Sequence, residues 1–209
     1  KLNLAWKRQL GKIAPSSALG FANEPASLLA AELVKMGNRQ LAVGDSGRAA
    51  SANWKSPIAN RRFTKVFFSD DGSTAMEVAL KLAYEFTRRT RGPQAKPRFL
   101  SLAGAYHGDT VGAVSLGHID LFHQAYGGLL FKTDQVMAPY CYRCLFNRAK
   151  PERADAREYR RCNWECVGKV EAECAAARKR RNDYAAFVFE SLMQGAAGMI
   201  PQPAGWLKR

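Results

Sequence analysis

Apolar residues return along this chain in two rhythms. From Pro25 to Met36 they recur every three or four residues, which predicts a helix with Leu28, Leu29, Leu33 and Met36 turned inward. The same spacing from Ser73 to Thr90 predicts a second helix with Val78, Ala79, Leu82, Ala83 and Phe86 on one face. Val66-Phe67-Phe68, Arg98-Phe99-Leu100 and Ala186-Phe187-Val188-Phe189 are instead short, nearly continuous apolar runs, the pattern of strands covered on both faces. Strands that alternate with helices predict an α/β fold, a mainly parallel sheet flanked by helices. Between Gly37 and Asn60 the chain is polar and rich in Gly and Ser without a clear period, which predicts a loop.

Two strand-to-helix junctions carry candidate chemistry. In Lys65-Val66-Phe67-Phe68-Ser69-Asp70-Asp71-Gly72-Ser73-Thr74, an apolar run passes through Asp-Asp-Gly-Ser into a helix. Gly72 lets the backbone approach a ligand closely, Ser73 can cap the helix and offer a hydroxyl, and the first N–H groups point where a phosphate would sit. An ordinary strand-turn-helix with a Ser cap reads the same way. In Leu100-Ser101-Leu102-Ala103-Gly104-Ala105-Tyr106-His107-Gly108-Asp109-Thr110, an aromatic and an imidazole follow the C-terminal end of a strand, where open α/β sheets bind ligands. Tyr106 there can lie on a planar ring, or it can be a half-buried packing residue with a satisfied hydroxyl.

Taken together, these segments resemble the class III (fold type I) pyridoxal-phosphate aminotransferases. The likeness is strongest to the branch that moves an amino group from S-adenosylmethionine to 8-amino-7-oxononanoate in biotin synthesis, giving 7,8-diaminononanoate. Phe21-Ala22-Asn23-Glu24-Pro25-Ala26, Phe187-Val188-Phe189-Glu190-Ser191-Leu192-Met193-Gln194-Gly195 and Trp206-Leu207-Lys208 agree with it. The resemblance implies that residues 1–24 are a remnant of an N-terminal segment. Residues 25–209 would then be part of the cofactor-binding large domain, with a loop insertion at 37–60 and a cysteine-containing insertion at 141–166. It implies pyridoxal 5'-phosphate (PLP) as cofactor, with Gly72 and Ser73 at its phosphate and Tyr106 against its ring and the substrate pocket. His107 and Gly108 would support that loop, and Glu190 matches an acidic residue close to the cofactor. The resemblance implies small-molecule substrates and a homodimer, and the unpaired fifth cysteine with the cofactor chemistry points to a cytoplasmic protein.

The same resemblance places the lysine that bonds the cofactor, and the Asp that pairs with its pyridinium nitrogen, after Arg209. No catalytic residue is therefore assigned within the chain. It is expected to be an internal piece of a longer enzyme, beginning past the family's N-terminal aromatic segment and inactive by itself. The passage from Gly37 to Asn60 is longer than the family uses.

Composition adds limits. With 209 residues, 47% apolar and 24% charged, the chain can bury one sizeable core. No apolar run is long enough to span a bilayer and no export signal is visible. The formal net charge of +14 would attract polyanions, but the cations are dispersed as Arg61-Arg62, Arg88-Arg89-Thr90-Arg91, Arg160-Arg161 and Arg178-Lys179-Arg180-Arg181. Neither interleaved aromatics nor a nucleic-acid-binding fold accompanies them, so nucleic acid is not the expected partner.

Cys141-Tyr-Arg-Cys144 and Cys162-Asn-Trp-Glu-Cys166 are two close pairs of thiols on either side of a basic stretch. Four thiolates at that spacing could hold zinc or a small iron-sulfur cluster, and they could equally be reduced buried cysteines. Cys174 is expected in the core, and His118 and His123 have no ligand partner at telling spacing. No metal ligand is assigned. Two other readings stay open: another class III omega-aminotransferase, and a basic, cysteine-metal module binding nucleic acid. The second of these would show zinc and steep salt dependence without cofactor absorbance.

Overall fold

The computed structural model describes residues 1–12, 22–46, 62–117, 119, 124–149 and 160–209. Arg61, His118 and His123 lie outside them. Two units divide the chain, Lys1–Phe68 and Ser69–Arg209.

The first unit holds α1 (Leu2–Leu10) and α2 (Glu24–Ser46). The helix predicted from Pro25 is present, but it runs to Ser46, so the first part of the expected 37–60 loop is helical; 47–60 lie outside the described residues. Gly37 reads as a helix breaker, yet it costs an interior turn only about 1 kcal/mol relative to Ala. Here it admits a neighbour, since a Cβ at Gly37 would come within 2.9 Å of the Phe63 ring. The Asn38 amide exchanges two hydrogen bonds with the Phe63 backbone, donating to its carbonyl at 3.0 Å and accepting from its N–H at 2.8 Å. The inward face expected for α2 is not buried: Leu28, Leu29, Leu33 and Met36 are exposed. Val66-Phe67-Phe68 forms no ladder, and Phe67 is 72% exposed. A strand exists through its partner, and none of the described strands pairs with this run.

The second unit contains the predicted parallel sheet. Strands β1 (Arg98–Leu102), β2 (Asp134–Val136) and β3 (Tyr184–Val188) lie in the order β2-β1-β3, and both pairings are parallel. β2 is too short and polar to stand out in the sequence. The helices are α3 (Gly72–Arg91), α4 (Val111–Leu116) and α5 (Glu165–Lys179). A small antiparallel pair follows, β4 (Met193–Gln194) with β5 (Ile200–Pro201).

Side chains alternate across β1 and seed two clusters. Phe99 joins Leu80 and Leu116, with Met76, Ala83 and Val188 packed around them. Leu100 and Leu102 join Ala105, Val136, Cys166 and Trp206, with Phe187 and Phe189 alongside. Leu100, Leu102 and Leu116 are fully buried, each worth about 2 kcal/mol of apolar transfer. The inward stripe of α3 is therefore Met76, Leu80, Ala83 and Thr87. Of the expected face of Val78, Ala79, Leu82, Ala83 and Phe86, Ala83 does pack inward, whereas Leu82 is 64% and Phe86 63% exposed. Thr87 is tolerated inside because its hydroxyl donates to the Ala83 carbonyl at 2.8 Å.

Two of the four basic clusters sit where helix dipoles favour them, while Arg160 and Arg161 precede α5. Arg88, Arg89 and Arg91 close α3, and Arg178 and Lys179 close α5. Arg89 pairs with Glu85 at 2.7 Å and Arg180 with Glu173 at 3.2 Å. At the N-terminal ends of the strands, Arg98 pairs with Asp134, and the Tyr184 hydroxyl lies 2.7 Å from Glu173 Oε1. Burial, then those carboxylates, push the Tyr184 phenol above its usual range. Among the described residues no helix is long and apolar enough to cross a membrane.

Candidate functional site

The opposite, C-terminal ends of the strands carry a cleft. α3 starts there on a capping box: the Asp71 carboxylate accepts the Thr74 N–H at 2.7 Å, and the Asp71 N–H donates to the Thr74 hydroxyl at 3.0 Å. The cap is thus Asp71, not Ser73 as the sequence suggested. The Thr74 N–H, set against a weaker desolvation, holds the Asp71 carboxyl below its ordinary value. Ser73 is released to reach sideways, donating to the Thr110 hydroxyl at 2.8 Å and accepting the Thr110 N–H at 3.0 Å.

The loop it meets leaves β1 through Gly104, which turns at φ +74°, and passes Tyr106, His107 and Gly108 before α4 begins. Gly108 has φ +116° and lies so close to α3 that an added Cβ would stand 2.6 Å from the Ser73 Cβ. Glu77, one turn after Ser73, fastens the far end of this loop. Its Oε1 accepts the Thr110 hydroxyl at 2.6 Å, the Gly112 N–H at 2.7 Å and the Ala113 N–H at 3.3 Å. α4 has no side-chain cap of its own, so Glu77 serves as one from the neighbouring helix. The near end is held by Glu190, whose carboxylate accepts the Tyr106 N–H at 3.3 Å and the Gly195 N–H at 2.9 Å. Buried Gln194 donates to the Ala103 carbonyl at 3.0 Å, tying the Gln-Gly turn to the end of β1.

Gly72, Ser73 and Tyr106 thus line one cleft of about 610 Å³, together with Asp71, Met76 and His107 to Thr110. The Tyr106 hydroxyl donates to Asp109 at 2.9 Å, and that bond, then desolvation, raises its pKa and keeps it protonated. Apart from its chain neighbours and its own helix backbone, no atom of the described residues lies within 4 Å of a Cβ built on Gly72, so the space in front of that peptide is open. The first N–H groups of α3 have no intrahelical acceptor and sit at the positive end of its dipole, those of Thr74 and Ser73 directed at the Asp71 carboxylate. An open pocket at a helix N-terminus beside an aromatic ring can hold a flat, phosphate-bearing cofactor. Glu190 stands behind Tyr106 and is not among the residues lining the cleft.

Glu77, Asp109, Thr110 and Gln194 were missed in the sequence. Only the spacing of Glu77, four residues after Ser73 on the same helix, signalled it.

The cysteines stand apart from this cleft. Cys141 and Cys166 are buried, Cys144, Cys162 and Cys174 partly so, and all five are free. Burial, then the thiols of Cys162, Cys166 and Cys144, push Cys141 up to about 11. Among the described residues no three His, Cys, Asp or Glu side chains are grouped as a ready metal site. Cys174 packs against the Leu100 cluster, as expected of a core residue.

The family profile for aminotransferase class-III matches residues 1–209. Adenosylmethionine-8-amino-7-oxononanoate aminotransferase from Geobacter sulfurreducens is 40% identical over 208 residues, which cover 100% of this chain and 38% of that protein. The enzyme of the same name from Aquifex aeolicus is 38% identical over 208 residues, again 100% of this chain and 38% of the relative. The chain therefore spans well under half the length of the curated relatives it matches. The solved structure of adenosylmethionine-8-amino-7-oxononanoate aminotransferase from Methanocaldococcus jannaschii superposes with a TM-score of 0.67 at 31% identity, over 97% of this chain and 35% of that one. An omega transaminase from Pseudomonas jessenii, solved in complex with PMP, has a TM-score of 0.68 at 22% identity over 99% of this chain and 38% of its own, which shows a shared fold. The full-length profile match and the identity across the whole chain make it a member of the class III aminotransferase family.

Proposed function

We propose that the protein carrying this chain is a PLP-dependent aminotransferase that moves an amino group from S-adenosylmethionine to 8-amino-7-oxononanoate in biotin synthesis. The observation that carries the reading is the meeting of the α3 N-terminus at Gly72 and Ser73 with the Tyr106 ring in one cleft. The named relatives support the choice of substrates. Bound there, PLP supplies the electron sink on which amino-group transfer depends.

This chain's own residues do the binding and positioning. The first N–H groups of α3, at Gly72 and Ser73, take the phosphate. Ser73 and Glu77 fix the Tyr106 loop through Thr110, so that the ring face is presented at a constant distance from the phosphate end. Tyr106 covers one face of the cofactor, excludes water from it and borders the substrate pocket. Asp109 holds the Tyr106 proton and so fixes the phenol's direction. Glu190 keeps the Tyr106 backbone in place. His107 and Gly108 shape the loop.

A homodimer is the assembly we propose, and the odd number of cysteines supports a reducing, cytoplasmic compartment. The family match does not favour a basic nucleic-acid-binding module.

The test is a half-reaction on the full-length protein loaded with PLP. S-adenosylmethionine should convert the cofactor absorbance to the amino form, and 8-amino-7-oxononanoate should restore it. Residues 1–209 alone should transfer no amino group. A full-length protein that binds PLP but responds only to simple omega-amines would overturn the substrate assignment.

A further inference from the structure

Helix α3 carries an apolar face that the fold leaves uncovered. Its spacing predicts Leu82 and Phe86 inward, yet the sheet takes Met76, Leu80, Ala83 and Thr87, about a quarter-turn away round the helix. Ala75, Ala79, Leu82 and Phe86 then form a second stripe, separated by four, three and four residues, the seam by which one helix packs along another. Leu82 is 64% and Phe86 63% exposed, and both alanines are exposed as well. Such a stripe on 20 residues of continuous helix, about 30 Å long, marks a surface built for a partner.

What that partner is follows from an asymmetry along the stripe. Its first half is small, Ala75 and Ala79, and its second half large, Leu82 and Phe86. A parallel copy would set Phe86 against the partner's Phe86 and leave a gap between the alanines. An antiparallel copy sets Phe86 on the partner's Ala75 and Leu82 on the partner's Ala79, each large side chain in the hole that a small one leaves. The charges agree with this choice. Asp71 and Arg89 lie on one flank of the stripe, about five turns apart, and a two-fold axis across the helix brings Asp71 beside the partner's Arg89 at both ends. The Arg89 side chain is 78% exposed and keeps its pairing with Glu85. The two helix dipoles run in opposite directions and add to the fit.

We propose that α3 packs antiparallel against α3 of a second copy of this chain, across a two-fold axis that passes between residues 80 and 81. The pairing rests on the homodimer proposed above and gives that dimer its axis. Stripe and core use different faces of the helix, so the contact leaves Leu80 and its cluster as they are. Asp71 and Gly72 line the cleft. The partner's Arg89 therefore stands at the mouth of each cleft, a cation from one copy beside the Gly72 end of the other.

The experiment is sedimentation of the full-length, PLP-loaded protein over a range of concentrations, alongside Leu82→Glu and Ala79→Lys. Wild type should sediment as two chains. Each variant puts an unpaired charge in the seam and should dimerise at least about tenfold more weakly. An equimolar mixture of the two should recover wild-type affinity to within about threefold, because in the mixed dimer the introduced carboxylate meets the introduced ammonium and the other contact is native. If a variant does not fold, benzoylphenylalanine in place of Phe86 decides: on illumination it should crosslink to the peptide that carries the partner's Ala75, at the mass of two chains. A monomeric wild type would overturn the homodimer itself. A wild-type dimer whose affinity neither variant changes, a mixture that recovers nothing, or a crosslink within one chain would overturn the α3 pairing alone, the last because the stripe is then covered by the rest of the same protein. None of these outcomes bears on the half-reaction test of the transferase reading.

Discussion

Gly108→Ala is expected to open the cleft while leaving the sheet intact. Gly108 holds φ +116°, and a Cβ there would lie 2.6 Å from the Ser73 Cβ and 2.9 Å from its Cα. The second of these is a backbone atom at the start of α3, which no rotamer change can move. The Tyr106 loop and the helix must therefore separate, stretching the 2.8 Å and 3.0 Å bonds between Ser73 and Thr110. A strained φ costs about 1–3 kcal/mol and forced overpacking about 1–3 kcal/mol more. Denaturant titration of the full-length protein should show a loss in that combined range, about 2–6 kcal/mol. Cofactor titration should show at least about a tenfold weaker Kd, the equivalent of about 1.4 kcal/mol. Ser73→Gly removes the Cβ and hydroxyl that collide and leaves only the clash with the helix backbone, so Gly108→Ala should cost less in that background. The double-mutant cycle should give a coupling of about 1 kcal/mol or more. Unchanged midpoint and affinity would refute the packing argument, and strict additivity would refute the pairing of Gly108 with Ser73.

Three further outcomes follow from the same geometry. Gly72→Val should leave the melting temperature nearly unchanged, because nothing lies within 4 Å of the new Cβ, yet weaken cofactor binding about tenfold or more by filling the phosphate's place; equal affinity in an absorbance titration would remove the phosphate role. Glu77→Leu abandons three donors at 2.6, 2.7 and 3.3 Å and should cost about 2–4 kcal/mol by denaturant titration, with Glu77→Gln, which keeps an acceptor, costing less than half of that. Asp71 has a depressed pKa, so its capping contribution is full above the ordinary carboxylate value and disappears as pH falls through the lower folded one; the stability difference between wild type and Asp71→Asn should be constant near neutrality and shrink in strong acid, and a difference that grows on acidification would reverse the assignment.

Parts of the fold were legible because local pattern and tertiary burial agree there. β1 and β3 were visible as apolar runs because the sheet is covered on both faces, as the parallel pairing requires. α2 and α3 were visible through helical spacing, but which face is inward depends on what each helix meets. For α3 the sheet selects Met76, Leu80 and Ala83, through contacts with Phe99 and Val188 that no helical wheel contains. Gly37 misled for a similar reason, since its role is to let Phe63 approach. In the cleft, Gly72, Ser73 and Tyr106 were singled out by their motifs and the family resemblance, and the structure brings them together. Glu77 and Thr110 could not, because a carboxylate on a helix and a threonine in a loop acquire meaning only when a separation of 33 residues is closed.

The two motifs that suggest cofactor chemistry are separate in sequence and mechanically single in the fold, and α3 is the reason. It carries two stripes. Met76, Leu80, Ala83 and Thr87 fasten the helix toward the sheet, while Ser73 and Glu77, one turn apart, fasten the loop that bears Tyr106. The N-terminal end of α3 and the Tyr106 side chain are therefore positioned by the same rigid rod, and their separation is set by how that rod seats on Phe99 and Val188. The capping box at Asp71 and Thr74 keeps the exposed first turn from fraying, so this distance holds where it matters. Disturbing the buried stripe consequently reaches the cleft without touching it. Leu80→Ala removes a side chain that is 7% exposed and should cost about 2–5 kcal/mol, and the relaxation of α3 toward the vacated space draws Ser73 and Glu77 away from Thr110. A core substitution at this position thus acts as a positioning change at the cleft.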